Sequence, residues 1–328
     1  MTWLITGGAG YIGGHVVAET LNSGREVVVL DDLSTGIRSR VPELVPFEQV
    51  SLQDRNAVCD VFSRYPITGV LHLAAKKQVG ESMIRPDHYW QENVGGLINL
   101  LEAMSMHHVT NFVFSSSAAV YGEPNISHGE LLRETATCNP INTYGATKLM
   151  GEWLSNGYVA IDGLTVAALR YFNVAGAGQQ HLGDTFALNL VPIVLTALDK
   201  NEAPTIFGND YPTPDGTCIR DYVHVQDLAL AHVAAMTFVE KSDPGFESIN
   251  VGTGIGSSVS QVIQAIAQAK GIDISPSVSS RRAGDPPALA ADVTKAKELL
   301  AWQSRYDLTD IVTSAVAAWE HNKNSISN

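Results

Sequence analysis

The fold is decided by residues 2–13, which read Thr2-Trp-Leu-Ile-Thr-Gly-Gly-Ala-Gly-Tyr-Ile-Gly13. A short apolar strand runs directly into glycines and then into a helical pattern, which is the context that makes a glycine-rich turn informative. Gly7, Gly10 and Gly13 lack side chains, so the backbone can approach a diphosphate that lies on the N–H groups of the following helix. A tight strand-to-helix turn with close packing is the alternative. We interpret the stretch as the diphosphate site of a dinucleotide.

Asp31 supports this interpretation. It ends the second apolar run, eighteen residues after Gly13, where a carboxylate can accept hydrogen bonds from both hydroxyls of a ribose. A carboxylate there repels a 2′-phosphate, Asp32 stands beside it, and the next arginine is Arg38. The pattern predicts NAD rather than NADP as the cofactor, with a turn residue at a strand end as the alternative.

The first half of the chain alternates apolar runs with helical patterns, which is typical of strand-helix-strand units and a parallel sheet. Buried strands of such sheets read as continuous apolar runs. The predicted strands cover residues 2–6, 26–30, 47–50, 70–73, 112–115 and 165–169. We therefore expect an α/β fold with a doubly wound (Rossmann) parallel sheet over residues 1–172. A smaller mixed α/β substrate domain is expected over residues 173–328, with a discontinuous boundary because a segment near 219–250 returns to the first domain.

Composition excludes several classes of function. The chain of 328 residues has 21 Lys and Arg against 34 Asp and Glu, a net charge of −13, which argues against binding to nucleic acid or to an anionic membrane surface. Its three cysteines are far apart in sequence and predict neither a metal site nor a disulfide framework. No signal segment or membrane-spanning run is recognisable, so we expect a cytoplasmic protein. None of the histidines stands at metal-ligand spacing with cysteines or acidic residues, so we expect no metal.

A second group of residues predicts redox chemistry at a carbinol. Tyr144 and Lys148 are four residues apart on a predicted helix and so share one face. Ser117 directly follows the fifth strand, at the sheet edge where doubly wound folds bind their ligands. A tyrosine is a poor base at neutral pH, but a neighbouring ammonium and a cationic nicotinamide both favour the phenolate. Such a pair on a solvated helix, with no chemical role, is the alternative.

Further motifs extend over nearly the whole chain. They include Leu30-Asp-Asp-Leu-Ser-Thr-Gly36, His72-Leu-Ala-Ala75, Val79-Gly-Glu-Ser82, Arg170-Tyr-Phe-Asn173, Ile206-Phe-Gly-Asn-Asp-Tyr-Pro-Thr213 and Arg220-Asp-Tyr-Val-His-Val-Gln-Asp-Leu228. On these residues and those above, the chain resembles the extended short-chain dehydrogenase/reductase superfamily and, within it, the UDP-glucose 4-epimerase family.

The resemblance implies a role for each of three sets of residues. Tyr144 would be the catalytic base, Lys148 would set its pKa and Ser117 would assist. The residues that would bind NAD are Gly7, Gly10, Tyr11, Ile12, Gly13, Asp31, Asp32, Leu33, Ser34, Thr35, Gly36, Ser51, Leu52, Leu73, Ala74, Ala75, Lys77, Asn93, Ser115, Tyr144, Lys148 and Phe172. Those that would bind the UDP-sugar are Ser117, Tyr144, Asn173, Asn189, Leu190, Thr205, Phe207, Arg220, Tyr222, Arg282, Asp285 and Leu289.

The activity implied by the resemblance is the reversible interconversion of UDP-galactose and UDP-glucose. The C4 configuration would invert through a transient 4-keto sugar, with tightly bound NAD. Related dehydratases and decarboxylases commonly carry acidic residues where this chain has Ala118 and Ala119, so it lacks their acid and base. A nucleotide-sugar reductase is an alternative function, although Asp31 disfavours binding of the NADPH that a reductase would need. A non-catalytic NAD sensor would have no need for Ser117, Tyr144 and Lys148 together.

Two positions depart from the family pattern. Ser51 stands where the family usually has an acidic residue that contacts the adenine, so NAD retention could be weaker than is usual. Leu289 stands at a position where the size of the side chain controls access of N-acetylated sugars. Leucine is of intermediate size, so N-acetylated UDP-hexosamines are alternative substrates. By resemblance, the helices near residues 93–106 and 143–158 could pair across a two-fold axis in a homodimer.

Overall fold

The computed structural model describes residues 1–124, 129–282 and 285–326, and the elements below belong to these ranges. The strands are β1 (Thr2–Thr6), β2 (Glu26–Leu30), β3 (Phe47–Glu48), β4 (Ile67–His72), β5 (Asn111–Ser117), β6 (Thr165–Tyr171), β7 (Asn173–Ala175), β8 (Thr205–Phe207), β9 (Ile219–His224), β10 (Gly245–Val251), β11 (Gly256–Ser258), β12 (Ser277–Ser279) and β13 (Ala288–Leu289). The helices are α1 (Tyr11–Asn22), α2 (Arg55–Arg64), α3 (Val79–Ile84), α4 (Pro86–Tyr89), α5 (Gly96–Met106), α6 (Thr143–Asp162), α7 (Leu190–Asp199), α8 (Val225–Val239), α9 (Val259–Lys270), α10 (Thr294–Leu300) and α11 (Leu308–Ile326).

A seven-stranded parallel sheet, with the order β10-β6-β5-β4-β1-β2-β3, forms the centre of the described structure. The chain leaves β1 for β2 on one side and later returns to β4 on the other side, so the winding reverses between β1 and β4. In such sheets the ligand crevice lies outside the carboxyl ends of the strands at this reversal. The doubly wound fold class predicted from the sequence is confirmed.

Six of the seven strands were predicted, whereas β10 was not. Its sequence, Gly245-Phe-Glu-Ser-Ile-Asn-Val251, mixes polar with apolar residues, and its first four residues are only half-buried. An edge strand of this kind gives no continuous apolar run, which is the signal that marks central parallel strands. It pairs in register with β6, from Gly245 opposite Thr165 to Val251 opposite Tyr171.

Helices cover both faces of this sheet, because side chains alternate between the faces along each strand. Ile5 packs with Val17 of α1 and Leu228 of α8 on one face. Leu4 packs on the other face with the core formed by α2 and α5, which includes Val58. The rigid two-sided packing fixes the carboxyl edge of the strands, where the predicted site lies.

Much of the second half of the chain forms a separate packing unit. There α7, α9 and α11 surround an apolar core that includes Val191, Ile263 and Ile311. Strand β9 is the centre of a small sheet with β7, β11 and β13, and β8 pairs with β12. The division of the chain at residue 172 stays a prediction. Within the described ranges, no helix is both long and apolar enough to cross a lipid bilayer.

Candidate functional site

The glycine turn between β1 and α1 is closed by backbone contacts that only glycine permits. Gly7 has φ of +75°, and its N–H donates to the carbonyl of Leu30 at 2.8 Å. A Cβ on Gly7 would lie 2.6 Å from the nitrogen of Ala74, and one on Gly13 would lie 2.1 Å from the oxygen of Gly7. Helix α1 begins after Gly10 without a side-chain cap. Its first N–H groups are therefore available to an anion.

Asp31 is held at the end of β2 by the backbone of two loops. Its Oδ2 accepts from the N–H of Ala9 at 3.0 Å, and its Oδ1 accepts from the N–H of Leu33 at 2.9 Å. Burial raises the pKa of this carboxyl, while the two backbone donors oppose the increase. Gly36 packs so closely that a Cβ there would lie 2.5 Å from Oδ1. The carboxylate is thus fixed beside the glycine turn.

These residues line one cleft of about 540 Å³ at the carboxyl edge of the sheet. The predicted cofactor residues on its wall are Gly7, Gly10, Tyr11, Ile12, Gly13, Asp31, Asp32, Ser34, Thr35, Gly36, Ser51, Leu52, Leu73, Ala74, Ala75, Lys77, Ser115, Tyr144 and Lys148. Three other residues predicted to bind NAD, Leu33, Asn93 and Phe172, do not line the cleft.

Asn93 lies in a π-helical turn, Trp90–Gly95, between α4 and α5. Its Oδ1 accepts from the N–H of Lys76 at 2.8 Å, and its Nδ2 donates to the carbonyl of Lys76 and to Oγ1 of Thr147, both at 3.0 Å. Asn93 therefore ties the loop after β4 to α6. Phe172 is buried in a cluster with Ala118 and Leu149.

Helix α6 positions the tyrosine and the lysine. Asn142 caps its first turn by accepting from the N–H of Gly145 at 2.8 Å, and Tyr144 and Lys148 follow on one face. The Nζ of Lys148 donates to the carbonyl of Ser115 at 2.6 Å and lies 5.9 Å from the ring centroid of Tyr144. Ser117, the last residue of β5, lies close enough for its side chain to act on the pKa of Tyr144, and its Oγ accepts from the N–H of Ala119 at 3.2 Å. The structure thus brings the three predicted catalytic residues together.

Burial dominates the electrostatics of this group. It lowers the pKa of Lys148 to about 7. It also raises the pKa of Tyr144, and the side chain of Ser117 opposes that rise. An interaction that lowers the pKa of a phenol stabilises the phenolate, so the side chain of Ser117 favours the ionised form of Tyr144.

Two tyrosines of the cleft wall, Tyr89 and Tyr171, were missed by the sequence reasoning, whereas Lys76 lies within the stretch 73–77 that was expected to line the NAD. Tyr171 ends β6, and its hydroxyl shares a very short hydrogen bond with Oγ of Ser115. The hydroxyl of Tyr89 accepts from the N–H of Gln78 at 2.9 Å. The Nζ of Lys76 donates to Oγ of Ser34 at 2.8 Å across the cleft. Of the two tyrosines, Tyr171 carried a signal, because it follows the end of the predicted strand 165–169 by two residues.

A buried ion pair supports the strands that carry the site. Arg170 of β6 donates to Glu152 of α6 through Nε at 2.8 Å and Nη2 at 2.5 Å. The same carboxylate accepts from Oγ of Ser116 at 2.5 Å. Because both charged groups are almost fully buried, the pair fixes α6 against β5 and β6 at the position of Ser115 and Ser117.

Several predicted UDP-sugar residues gather on and beside β9. Tyr222 pairs with Asn173 of β7, and Arg220 pairs with Leu289 of β13. Arg220 also donates through Nη2 to Oδ1 of Asp285 at 3.1 Å. Tyr222 itself is buried in the core of the second unit.

The remaining predicted UDP-sugar residues lie on neighbouring elements. The guanidinium of Arg282 lies 4.0 Å from the ring centroid of Phe207 in β8, whereas Arg281 turns away to pair with Asp210 at 2.7 Å. Thr205 begins β8 and is exposed. The other two, Asn189 and Leu190, mark the start of α7.

A connecting segment joins this group to the cleft. Asp184, Phe186 and Leu188 line the cleft wall, and Nδ2 of Asn189 donates to Oδ2 of Asp184 at 2.8 Å. Within the described ranges, no three His, Cys, Asp or Glu side chains are grouped as a metal site would require.

Known proteins resemble this chain over nearly its full length. A family model described as the NAD dependent epimerase/dehydratase family matches residues 3–252. A UDP-glucose 4-epimerase of Corynebacterium glutamicum is 42% identical over 97% of this chain and 95% of its own length. A Stenotrophomonas maltophila UDP-glucose-4-epimerase, solved with bound NAD and formylated UDP-arabinopyranose, superposes with a TM-score of 0.93 at 36% identity, over 99% of each chain. A UDP-Glc/GlcNAc 4-epimerase of Campylobacter jejuni gives a TM-score of 0.86 at 37% identity, over 98% of this chain and 99% of its own.

Proposed function

Because the chain belongs to the NAD dependent epimerase/dehydratase family, we propose that it interconverts UDP-galactose and UDP-glucose by inverting the configuration at C4. The observation that carries this function is the buried pair of Tyr144 and Lys148 in a cleft that also holds the glycine turn, with the half-buried Ser117 beside Tyr144. Relatives that are about 40% identical to this chain are named for the same activity, UDP-glucose 4-epimerase.

The cleft fits NAD. The glycine turn presents uncapped N–H groups for the diphosphate, and a Cβ on Gly7 or Gly13 would fill or distort it. Asp31 is fixed to receive the ribose hydroxyls, and Lys148 and Tyr144, which line the same cleft, would lie beside the nicotinamide. When bound, NAD supplies the site that takes up the C4 hydride and gives it back.

Tyr144 removes the proton from the C4 hydroxyl, and the side chain of Ser117 favours the phenolate. Lys148 adds a positive charge close to the ring, although burial limits that charge to pH values near or below 7. The product of this first half-reaction is a 4-keto sugar. After the sugar turns over, Tyr144 returns the proton while the opposite face of C4 is reduced, so no net redox change occurs.

Affinity for the substrate is expected to reside in the nucleotide, because the hexose must turn. Arg282 supplies local positive charge in a chain of net charge −13, and Arg220 adds a guanidinium that also pairs with Asp285. A guanidinium can bind diphosphate oxygens through two hydrogen bonds. Of the adjacent arginines, Arg281 is already engaged with Asp210, which favours Arg282 as the phosphate contact. The face of Phe207 under Arg282 holds the guanidinium in place.

A related activity on N-acetylated UDP-hexosamines is the second candidate. Leu289 is half-buried and pairs with Arg220 in the small sheet, beside the cluster that contains Ala118 and Phe172. A leucine there leaves more room than a tyrosine would. The likeness to the Campylobacter jejuni enzyme named for both sugars favours testing this substrate class.

A homodimer is proposed from one face of α6. Trp153 and Ile161 are 62% and 75% exposed, and Gly157 and Ala160 lie on the same exposed face. Residues spaced by three or four along a helix form one stripe, and exposed apolar stripes mark interaction surfaces.

We also propose a reducing compartment, the cytoplasm, since Cys59, Cys138 and Cys218 are all free thiols.

The proposed function is tested with Tyr144→Phe, which keeps the ring and removes the hydroxyl. We expect turnover of UDP-galactose to be lost while binding of UDP and of NAD is kept. Tyr65→Phe is the matched control, because Tyr65 bonds Glu48 and neither of these residues lines the cleft. Unchanged turnover by Tyr144→Phe would show that the catalytic assignment is wrong.

A further inference from the structure

Arg40 is a buried cation for which neither the motifs nor the reaction above accounts. It ends a short 3-10 turn, Arg38–Arg40, after the loop that holds Asp31, and only 3% of it is exposed. Its Nη2 donates to the carbonyl of Gly183 at 2.8 Å and to Oγ1 of Thr185 at 3.3 Å. Its Nε has no hydrogen-bond partner among the described residues.

The positive charge of Arg40 is not neutralised by an ion pair within the described ranges. No carboxylate oxygen lies within 4 Å of its nitrogens in these ranges. Asp184 is the nearby acidic group that acts on it, but this carboxylate accepts instead from Asn189 at 2.8 Å. Asp184 compensates the buried charge only from a distance, and burying an arginine without a close anion is costly. A bound anion in contact with Arg40 would offset that cost.

Its position indicates which anion this is. Arg40 lines the same cleft as Tyr11 and Ile12. It also packs against the first turn of α1, since a Cβ on Gly14 would lie 3.3 Å from Cβ of Arg40. That turn presents uncapped N–H groups, and two features that favour negative charge therefore meet at one place.

We propose that the guanidinium of Arg40 binds the diphosphate of the dinucleotide and, through Nη2, holds the segment 183–185 next to it. This inference rests on the proposed function, because it takes NAD to be the occupant of the cleft. It assigns a side-chain contact to the diphosphate in addition to the backbone N–H groups of the glycine turn. It also links cofactor binding to the segment that contributes Asp184, Phe186 and Leu188 to the cleft wall.

The test compares Arg40→Met with Arg38→Met, which removes the same charge two residues away. Arg38 stacks on Phe47 and donates to the carbonyl of Val41, so it serves as the matched control. The dissociation rate of NAD is measured from the full-length holoenzyme by dilution. The affinities for ADP-ribose and for adenosine, which lacks the diphosphate, are then measured on the protein freed of NAD.

In Arg40→Met we expect the affinity for ADP-ribose to fall about 10- to 100-fold, the range of one charged hydrogen bond, with faster NAD release. Adenosine affinity should change less than about twofold, and Arg38→Met should match the wild type in all three. Equal losses for ADP-ribose and adenosine, or none, would overturn the proposal and leave Arg40 as a contact between segments only.

A second variant covers the case in which Arg40→Met does not fold. Arg40→Lys keeps the charge but loses the planar fork, and it should weaken ADP-ribose binding severalfold without affecting adenosine. Unchanged ADP-ribose binding in this variant overturns the proposal. Because these readouts do not use turnover, a wild-type protein that binds NAD but does not convert UDP-galactose would refute the proposed function and leave this inference standing.

Discussion

Replacing Lys148 by Met removes the positive charge beside Tyr144 and keeps an unbranched side chain of similar length. The Nζ of Lys148 lies 5.9 Å from the centroid of the tyrosine ring. With an effective dielectric constant of about 20, a charge at this distance stabilises a phenolate by about 3 kcal/mol, or about 2 pKa units. At a fixed pH below the pKa, this leaves about 100-fold less phenolate, so kcat should fall by about 100-fold.

The pH dependence makes the prediction specific. Burial lowers the pKa of Lys148 to about 7, so the ammonium is present below that pH and is lost above it. The ratio of wild-type to variant kcat should therefore be largest at pH 6 to 7 and should shrink as the pH rises towards 9. The assay is the initial rate of UDP-galactose conversion at saturating substrate, with the exposed Lys200→Met as control. A ratio that stays constant over this pH range would refute the electrostatic role of Lys148.

Four further changes have defined outcomes. Glu152→Gln leaves Arg170 buried without its partner and should lower the free energy of unfolding by about 3–5 kcal/mol, measured by urea denaturation; a loss below about 1 kcal/mol would contradict the role of this pair. Ser51→Asp adds an acceptor to the cleft wall and should slow NAD release, whereas clearly faster release would show the alignment at this position to be wrong. Leu289→Cys should raise the activity on UDP-N-acetylglucosamine relative to UDP-glucose, and an unchanged ratio would count against its part in specificity. His232 has a pKa lowered to about 4 by burial, so it is neutral when folded and takes up a proton on unfolding; its contribution to stability is complete above pH 6.5 and is lost as the pH falls towards 4. His232→Leu should therefore flatten the acid loss of stability by up to about 1.4 kcal/mol per pH unit, and unchanged pH dependence in urea would refute this.

The fold was predictable because its central strands are buried on both faces and so read as uninterrupted apolar runs. The glycine turn was predictable as well, since its positions cannot carry a Cβ. The edge strand β10 escaped prediction because half of it is only partly buried. Its pairing with β6 depends on distant parts of the chain.

The site residues that local sequence spacing places could be predicted, whereas those that tertiary contacts place could not. Tyr144 and Lys148 share a helix face by their spacing, and Ser117 follows a recognisable strand. The hydrogen bonds of Asn93 with Lys76 and Thr147 depend on a π-helical turn, and no residue pattern predicts such a turn. Arg40 likewise acquires its surroundings from the segment 183–185, more than 140 residues away. The individual roles of the UDP-sugar residues stay predictions.

The central claim is tested most directly by incubating the purified protein with UDP-galactose without added NAD and separating the UDP-sugars. The account predicts that UDP-glucose accumulates to a stable ratio, because the cofactor stays bound and no net redox change occurs. Conversion only after NAD is added would keep the chemistry and point to Ser51 as the cause of weak retention. No conversion with or without added NAD would contradict the account.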